Sequence, residues 1–131
     1  MNSATQYASK VKDKGILYTK SKELSLQVIQ LCRWLQENNE LIISKQIIRS
    51  ATSVGANYSE ALGAESSSDF IHKISISLKE LYETQYWLEL LHDSRYINDD
   101  YFNRLYSLSK EVMKMMTASI LTKKKNAAIL R

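Results

Sequence analysis

The sequence predicts an all-α protein, an up-down-up-down antiparallel four-helix bundle, and three observations lead to that prediction. Apolar residues recur at spacings of three and four over most of the chain, the period of a helix buried along one face. Proline is absent and glycine occurs only three times in 131 residues, so little interrupts helices or forms the turns of a sheet. Amphipathic helices joined by short links pack most simply as such a bundle.

The chain divides into a basic N-terminal arm at residues 1–20, a single bundle domain at 21–122 and a basic C-terminal tail at 123–131. The arm is polar, rich in lysine and weakly periodic, so we expect a mobile segment whose last residues dock on the body. The first helix is predicted over residues 21–38. Its inward stripe is Leu24, Val28, Leu31 and Leu35.

The second helix is predicted over residues 42–62, with the inward stripe Ile43, Ile47, Ala51, Val54, Tyr58 and Ala61. Gly55 lies inside this helix, where glycine costs about 1 kcal/mol relative to alanine. We therefore expect a neighbouring backbone to pack unusually close to it. Gly63 suits the left-handed residue that ends many helices.

The third helix is predicted to begin at the capping box Ser66-x-x-Asp69 and to run to about His92. Its inward stripe is Phe70, Ile74, Leu78, Leu81, Leu88 and Leu91. Asn98 is the expected N-cap of the fourth helix, because two acidic residues follow it in the first turn. The stripe of that helix is Phe102, Leu105, Val112, Met116 and Ile120.

Charge is distributed unevenly along the chain. The net charge is +4, yet residues 1–22 carry five lysines against Asp13, and residues 110–131 carry five lysines and Arg131 against Glu111. The body between these segments therefore has more acidic than basic residues. The basic character is concentrated at the two ends of the chain.

Several classes of protein are excluded or disfavoured by the composition. The single cysteine, Cys32, excludes an intrachain disulfide and a cysteine-based metal site. No apolar run approaches the ~20 residues of a membrane span or resembles a secretory signal, so we expect a cytoplasmic protein. Glu89-x-x-His92 and Asp69-x-x-His72 have the spacing of di-iron ligands, but both lie on one helix about 30 Å apart. We expect no enzyme, metal, cofactor or small-molecule substrate, because no catalytic motif is present either.

Polar residues keep the helical period as regularly as the apolar ones do in the second and third helices. Because the helices form an antiparallel hairpin, we expect Ser53 opposite Ser77, Asn57 opposite Lys73, Arg49 near Glu80 or Glu83, and Glu60 near Lys73. The polar network comprises Gln46, Arg49, Ser53, Asn57 and Glu60 on the second helix and Lys73, Ser77, Glu80, Glu83, Thr84 and Trp87 on the third.

Two interpretations of this network are open. In the first, it fixes the register of the hairpin or of a subunit contact, since buried polar groups must be paired and specify alignment. In the second, Arg49, Asn57 and Glu60 contact a ligand.

The stretch QIIRSATSVGANYSEA…DFIHKISISLKELYETQYWLELL, from Gln46 to Leu91, closely resembles the four-helix-bundle family of bacterial 23S ribosomal RNA intervening-sequence proteins. The family is similar in fold to the accessory variability protein of diversity-generating retroelements. That likeness implies a ring-shaped homopentamer. It also implies a connection with RNA, because the first members are encoded in insertions within ribosomal RNA genes and the retroelement relative engages nucleic acid through basic surfaces.

The sequence departs from that pattern in two respects: its body lacks a dense basic surface, and its loop between the first two helices is short and lacks proline. Contacts to phosphate are therefore expected mainly from the chain ends. The nucleic-acid-binding candidates are Lys123, Lys124, Lys125, Arg131, Lys45 and Arg33.

Two functions follow from these observations. One is a homo-oligomeric protein that binds structured RNA, other nucleic acid or a nucleic-acid-associated protein, with phosphate contacts that weaken steeply with salt. The alternative is an oligomeric adaptor that binds another protein through a surface rich in tyrosine and tryptophan and has no nucleic-acid role.

Overall fold

The computed structural model describes residues 3–129, including the side chains of all of these except residues 11 and 12. Five helices account for the secondary structure of this range: α1 (Ser3–Asp13), α2 (Ile16–Glu37), α3 (Ile42–Leu62), α4 (Ser67–Asp93) and α5 (Asp99–Ile129). The all-α prediction is confirmed, whereas the count of four helices is wrong by one.

The bundle is formed by α2 to α5, and each of these helices packs on two others in the cyclic order α2, α3, α4, α5. The α3–α4 contact is the most extensive and the α2–α5 contact the least. Most of the predicted inward residues are buried, and the half-buried ones pack against the core: Ile43, Phe70, Leu78, Phe102 and Ile120. The four predicted stripes therefore form one hydrophobic core.

Both ends of the described chain differ from the prediction. The arm is helical from Ser3, and α2 begins at Ile16 rather than near residue 21, with Gly15 between them at φ 90°. The expected basic tail is likewise the continuation of α5 as far as Ile129. Lysine, alanine and glutamine are good helix formers. The apolar residues of α1 recur at helical spacing, but Ala4, Tyr7 and Ala8 are all exposed, so this helix adds little to the core. Arg131 lies outside the described residues.

The helix ends are capped largely as the sequence indicates. Ser66 Oγ accepts from the Asp69 backbone N–H at 3.0 Å, and Asn98 Oδ1 accepts from the Tyr101 N–H at 2.8 Å. The buried Glu40 carboxylate accepts from the N–H groups of Ile43 and Ser44 at 2.9 and 2.8 Å, a cap that the sequence analysis did not predict.

The two glycines of the α3 region do not behave as expected. Gly63 has φ −97°, so the prediction of a left-handed residue there is wrong. At Gly55 a Cβ atom would lie 3.6 Å from Ser25 Oγ and 3.7 Å from the Ser21 carbonyl oxygen, which is ordinary van der Waals contact. The neighbouring backbone is therefore not close enough to require glycine.

Candidate functional site

The interface between α3 and α4, here called the hairpin seam, contains buried hydroxyl groups that are hydrogen-bonded across it. Ser77 Oγ donates to the Val54 carbonyl at 2.8 Å, and Thr84 Oγ1 donates to Ser50 Oγ at 2.9 Å. Small hydroxyl side chains let two helices approach closely while every buried polar group keeps a partner.

Ion pairs lie at the outer edge of the hairpin seam. Arg49 contacts Glu80 at 3.2 Å and also Glu83, and Lys73 lies 3.4 Å from Glu60. These are the partners predicted from the antiparallel register of α3 and α4. All five side chains keep substantial exposure to solvent, so the pairs stabilise the hairpin modestly.

Two further members of the predicted polar network, Ser53 and Asn57, bond within their own helix, whereas the buried Nε1 of Trp87 has no hydrogen-bond partner among the described residues. Ser53 Oγ donates to the Arg49 carbonyl at 2.7 Å, and Asn57 Nδ2 donates to the Ser53 carbonyl at 2.8 Å. The predicted cross-helix hydrogen bonds, Ser53 to Ser77 and Asn57 to Lys73, are not among the bonds of the described residues. Short side chains satisfy themselves on the preceding turn, because the facing helix is farther away. Gln46 is exposed.

The two lysine-rich segments of the sequence lie side by side on neighbouring helices, from the middle of the bundle to the end at which α2 begins. Lys20, in the first turns of α2, lies 3.0 Å from Glu111 of α5. Near the end of α5, the Lys123 ammonium lies 4.9 Å from the centre of the Phe70 ring at the start of α4. We call the lysines gathered here the basic end: Lys10, Lys14, Lys20, Lys22, Lys110, Lys114, Lys123, Lys124 and Lys125.

One part of the basic end is a stripe along α5. Lys110, Lys114, Leu121 and Lys125 are spaced by four, seven and four residues, so they share one face of the helix, and all four are exposed. No acidic residue follows Glu111 in the described part of α5. The stripe therefore presents positive charge over about 20 Å at a rise of 1.5 Å per residue.

A second part of the basic end lies where α1 meets α2. The Lys14 ammonium lies 4.7 Å from the centre of the Tyr18 ring, and Lys22 lies 4.7 Å from that of Tyr7. Lys22 also donates a hydrogen bond to the Tyr7 hydroxyl, which raises the pKa of Lys22. On α5, the Lys110 ammonium lies 5.2 Å from the centre of the Tyr106 ring. Aromatic faces hold these cations without neutralising them.

The predicted phosphate-binding residues do not form a single group. Lys124 and Lys125 are exposed at the basic end, but Lys45 and Arg33 are exposed near the opposite end of the bundle. On α3, the level of Lys45 is about 25 Å from that of Lys123 at 1.5 Å per residue. Other lysines of the basic end were not predicted as phosphate contacts, although the uneven charge along the chain indicated them: Lys20, Lys22, Lys110 and Lys114.

Other chemistry finds little support in the described residues. No group of three or more His, Cys, Asp or Glu side chains there could hold a metal ion. His92 contacts Asp99 at 2.7 Å and stacks on Phe102, and Glu89, which precedes it by three residues, does not take part in these contacts. None of the helices in residues 3–129 has the length and apolar character needed to cross a membrane.

The sequence matches the 23S rRNA-intervening sequence protein family over residues 13–118. The chain belongs to this family. The match spans α2, α3, α4 and most of α5, which confirms the resemblance seen in the segment from Gln46 to Leu91.

The fold is similar to the crystal structure of a protein with unknown function from the S23 ribosomal protein family of Bacteroides thetaiotaomicron VPI-5482. The two are 42% identical with a TM-score of 0.79, over 80% of this chain and 98% of that chain. None of the curated proteins matches the sequence at a significant level.

Proposed function

We propose that this member of the 23S rRNA-intervening sequence protein family is a non-enzymatic, oligomeric helical bundle that binds structured RNA through phosphate contacts at the basic end. One observation carries the proposal: the fold brings the two lysine-rich segments of the chain together on neighbouring helices, where Lys20 reaches Glu111. Two modest local charges thereby become one surface.

The arrangement of the charges supports contact with phosphate rather than a purely structural role. Within residues 3–129, Lys114, Lys124 and Lys125 have no carboxylate partner, and Lys14, Lys22 and Lys110 rest on aromatic rings. Lysines that are not neutralised by the protein can displace counterions from a nucleic acid, and this release is the main source of non-specific affinity.

The experiment is fluorescence anisotropy with a labelled RNA hairpin over a range of salt concentrations. The test variant replaces Lys110, Lys114, Lys124 and Lys125 with glutamine. We expect weaker binding and a flatter dependence of affinity on salt, since each lost phosphate contact reduces the logarithmic slope by about 0.9.

A matched control removes the same charge elsewhere, by replacing Arg33, Lys45, Lys79 and Arg95 with glutamine. These four side chains are all exposed. Equal losses in both variants would show that net charge alone governs binding. An unchanged slope in the first variant would exclude the α5 stripe as the contact.

We further propose that the chain assembles as a ring-shaped homopentamer, which would multiply the charge of the basic end and raise its avidity. Support comes from large apolar side chains left at the surface, among them Ile42, Tyr82 and Tyr86, which are 78%, 63% and 53% exposed. Light scattering should give a mass about five times the 15.1 kDa of one chain. The mass of a single chain would contradict the proposal.

An adaptor that binds a protein is the second candidate, and a specific feature favours it. At the end of the bundle opposite the basic end, Leu31, Trp34, Tyr96 and Tyr101 line a pocket of about 270 Å³. Tyrosine and tryptophan are enriched in protein interfaces. If the protein is oligomeric and does not bind RNA even at low salt, the adaptor becomes the favoured function. The cytoplasmic location expected from the sequence stays a prediction.

A further inference from the structure

A groove between α2 and α3 lies at the edge of the basic end. Its lining consists of Tyr18, Lys22 and Ser25 on α2 and of small residues on α3: Gly55, Ala56 and Ser59. Its volume is about 290 Å³, near the lower limit of ~300 Å³ for ligand pockets. The groove has room for one nucleobase.

The charges around the groove are those that an anionic ligand requires. No carboxylate lines it, and its rim carries Lys22, whose ammonium is held by Tyr7. Lys14 lies over the ring of Tyr18 and adds a second positive charge beside the same tyrosine. The nearest acidic residue of α2, Glu23, accepts a hydrogen bond from Gln27 on the same helix.

Gly55 gives an independent reason to regard the groove as functional. Glycine inside a helix costs about 1 kcal/mol relative to alanine, and packing against α2 does not compensate, because a Cβ atom would fit at 3.6 Å from Ser25 Oγ. A side chain at this position would instead occupy the floor of the groove. Next to it on α2, Ser21 is buried, and its hydroxyl has no hydrogen-bond partner among the described residues.

We propose that this groove, here called the Tyr18 groove, takes one unpaired nucleotide of an RNA. The base stacks on the face of the Tyr18 ring that Lys14 does not cover, above the floor at Gly55, and the phosphates on either side of it contact Lys22 and Lys14. Proteins that bind single strands combine cations that follow the backbone with aromatic rings that stack on bases. The inference rests on the proposed function and deepens it, because it names unpaired rather than duplex RNA as the ligand.

The experiment compares two labelled probes, single-stranded hexaadenylate RNA and a blunt RNA duplex, by fluorescence anisotropy. The test variants are Tyr18→Leu, which keeps an apolar side chain but removes the ring, and Gly55→Leu, which fills the floor. We expect each to weaken the binding of hexaadenylate by roughly 5- to 150-fold, the value of one stacked base. Binding of the duplex, which offers no unpaired base, should not change.

Two matched controls accompany these variants. Tyr96→Leu removes a surface tyrosine between α4 and α5, at the end of the bundle opposite the Tyr18 groove, and it should leave hexaadenylate binding unchanged. Gly55→Ala adds only the Cβ atom that the structure accommodates, so it should fold at least as stably as the parent protein and report whether α3 tolerates a side chain there. Thermal melts of all four variants verify folding.

The outcomes separate the inference from the proposed function. If the duplex binds and Tyr18→Leu does not weaken hexaadenylate, the Tyr18 groove is not a nucleotide site, although the phosphate-binding function stands. If neither RNA binds, both proposals fail. If adenosine monophosphate competes more strongly than hexaadenylate, the occupant is a free nucleotide and RNA is excluded. If Gly55→Leu changes the mass in light scattering while Tyr18→Leu leaves RNA binding intact, the groove is a subunit contact.

Discussion

In the hairpin seam the charged side chains lie against partners of opposite charge, whereas at the basic end most lysines have only aromatic rings or solvent beside them. Arg49 lies between Glu80 and Glu83, while Lys22 and Lys110 rest on tyrosines. An ion pair cancels the potential that an approaching ligand would sense, and a ring does not. The comparison teaches that a charged side chain has a structural role where the protein provides a partner of opposite charge. Where the protein provides none, the same kind of side chain is available for a ligand.

The same contrast holds for groups that the fold buries. Thr84 and Ser50 are fully buried and bond to each other, and the Cys32 thiol is buried where α2 meets α3, with Sγ 3.3 Å from the Ser44 carbonyl. Changes to these groups should alter stability. Changes at the basic end should alter binding alone.

The largest effect on stability is expected at alkaline pH. Burial, assisted by the nearby Glu40 carboxylate, raises the pKa of Cys32 from 9.0 to about 11. The folded state therefore keeps the thiol proton up to a higher pH than the unfolded chain does. The contribution of this proton to the stability of the fold is complete below pH 9 and is lost as the pH rises to 11. The loss should reach about 2–3 kcal/mol.

Urea titrations from pH 8 to 11 on the parent protein and on Cys32→Ala measure this effect. The variant should lose stability less steeply with pH. Some dependence remains in it, because burial also raises the pKa of Tyr58. Identical pH slopes for the two proteins would show that the thiol titrates normally and that its burial has no electrostatic consequence.

A smaller effect is expected from Thr84→Val, which keeps the shape of the buried side chain and removes its hydroxyl. The loss should be about 1–2 kcal/mol, because the Thr84–Ser50 hydrogen bond lies in the interior of the hairpin seam. Urea denaturation provides the measurement. An unchanged midpoint would mean that the cross-helix bond contributes nothing and that apolar packing alone aligns α3 with α4.

Arg49→Ala should reduce stability by at most about 1 kcal/mol, since 48% of the Arg49 side chain is exposed and solvent screens its ion pairs. The difference from the parent protein should shrink in 1 M salt. The measurement combines denaturation with light scattering, because the polar network was predicted to fix either the hairpin or a subunit contact. A variant of unchanged stability and assembly would refute both structural roles and favour the ligand-contacting interpretation.

The smallest effect on stability is expected for the variant with glutamine at Lys110, Lys114, Lys124 and Lys125. Exposed side chains without partners usually contribute within about 0.5 kcal/mol each, and removing mutual repulsion partly offsets any loss. A marked drop in the melting temperature would show that these lysines stabilise the fold. The basic end would then not differ from the hairpin seam in this respect.

Local pattern was enough to predict the regions where periodicity and register decide the structure. The bounds of α3, the caps at Ser66 and Asn98, and the pairing of Arg49 with Glu80 and Glu83 all follow from spacing within a helix and from one antiparallel turn. Each of these features depends on residues close in sequence or related by a single register.

Features without a buried apolar face, or that depend on distant segments, were missed. The helix α1 and the last turns of α5 bury few apolar side chains, so their helicity comes largely from intrinsic propensity, a weaker signal than an inward stripe. The basic end exists only because α2 and α5 are neighbours in space. The residues of the Tyr18 groove likewise come together only because α2 packs on α3. The one indication in the sequence was Gly55, a glycine inside a predicted helix.

Among the four bundle helices, the least extensive packing, between α2 and α5, has a consequence for how the molecule folds. It joins residues as distant in sequence as Lys20 and Glu111, whereas the α3–α4 contact forms within one hairpin. Because closing a long loop costs more entropy, we expect the hairpin to form early in folding and α5 to dock on α2 last. Amide hydrogen exchange should then be fastest, among the bundle helices, in α2 and α5. Any partial opening of the bundle would therefore separate the two lysine-rich segments while the hairpin stays intact, so a chain could remain largely folded and yet lose its charged surface.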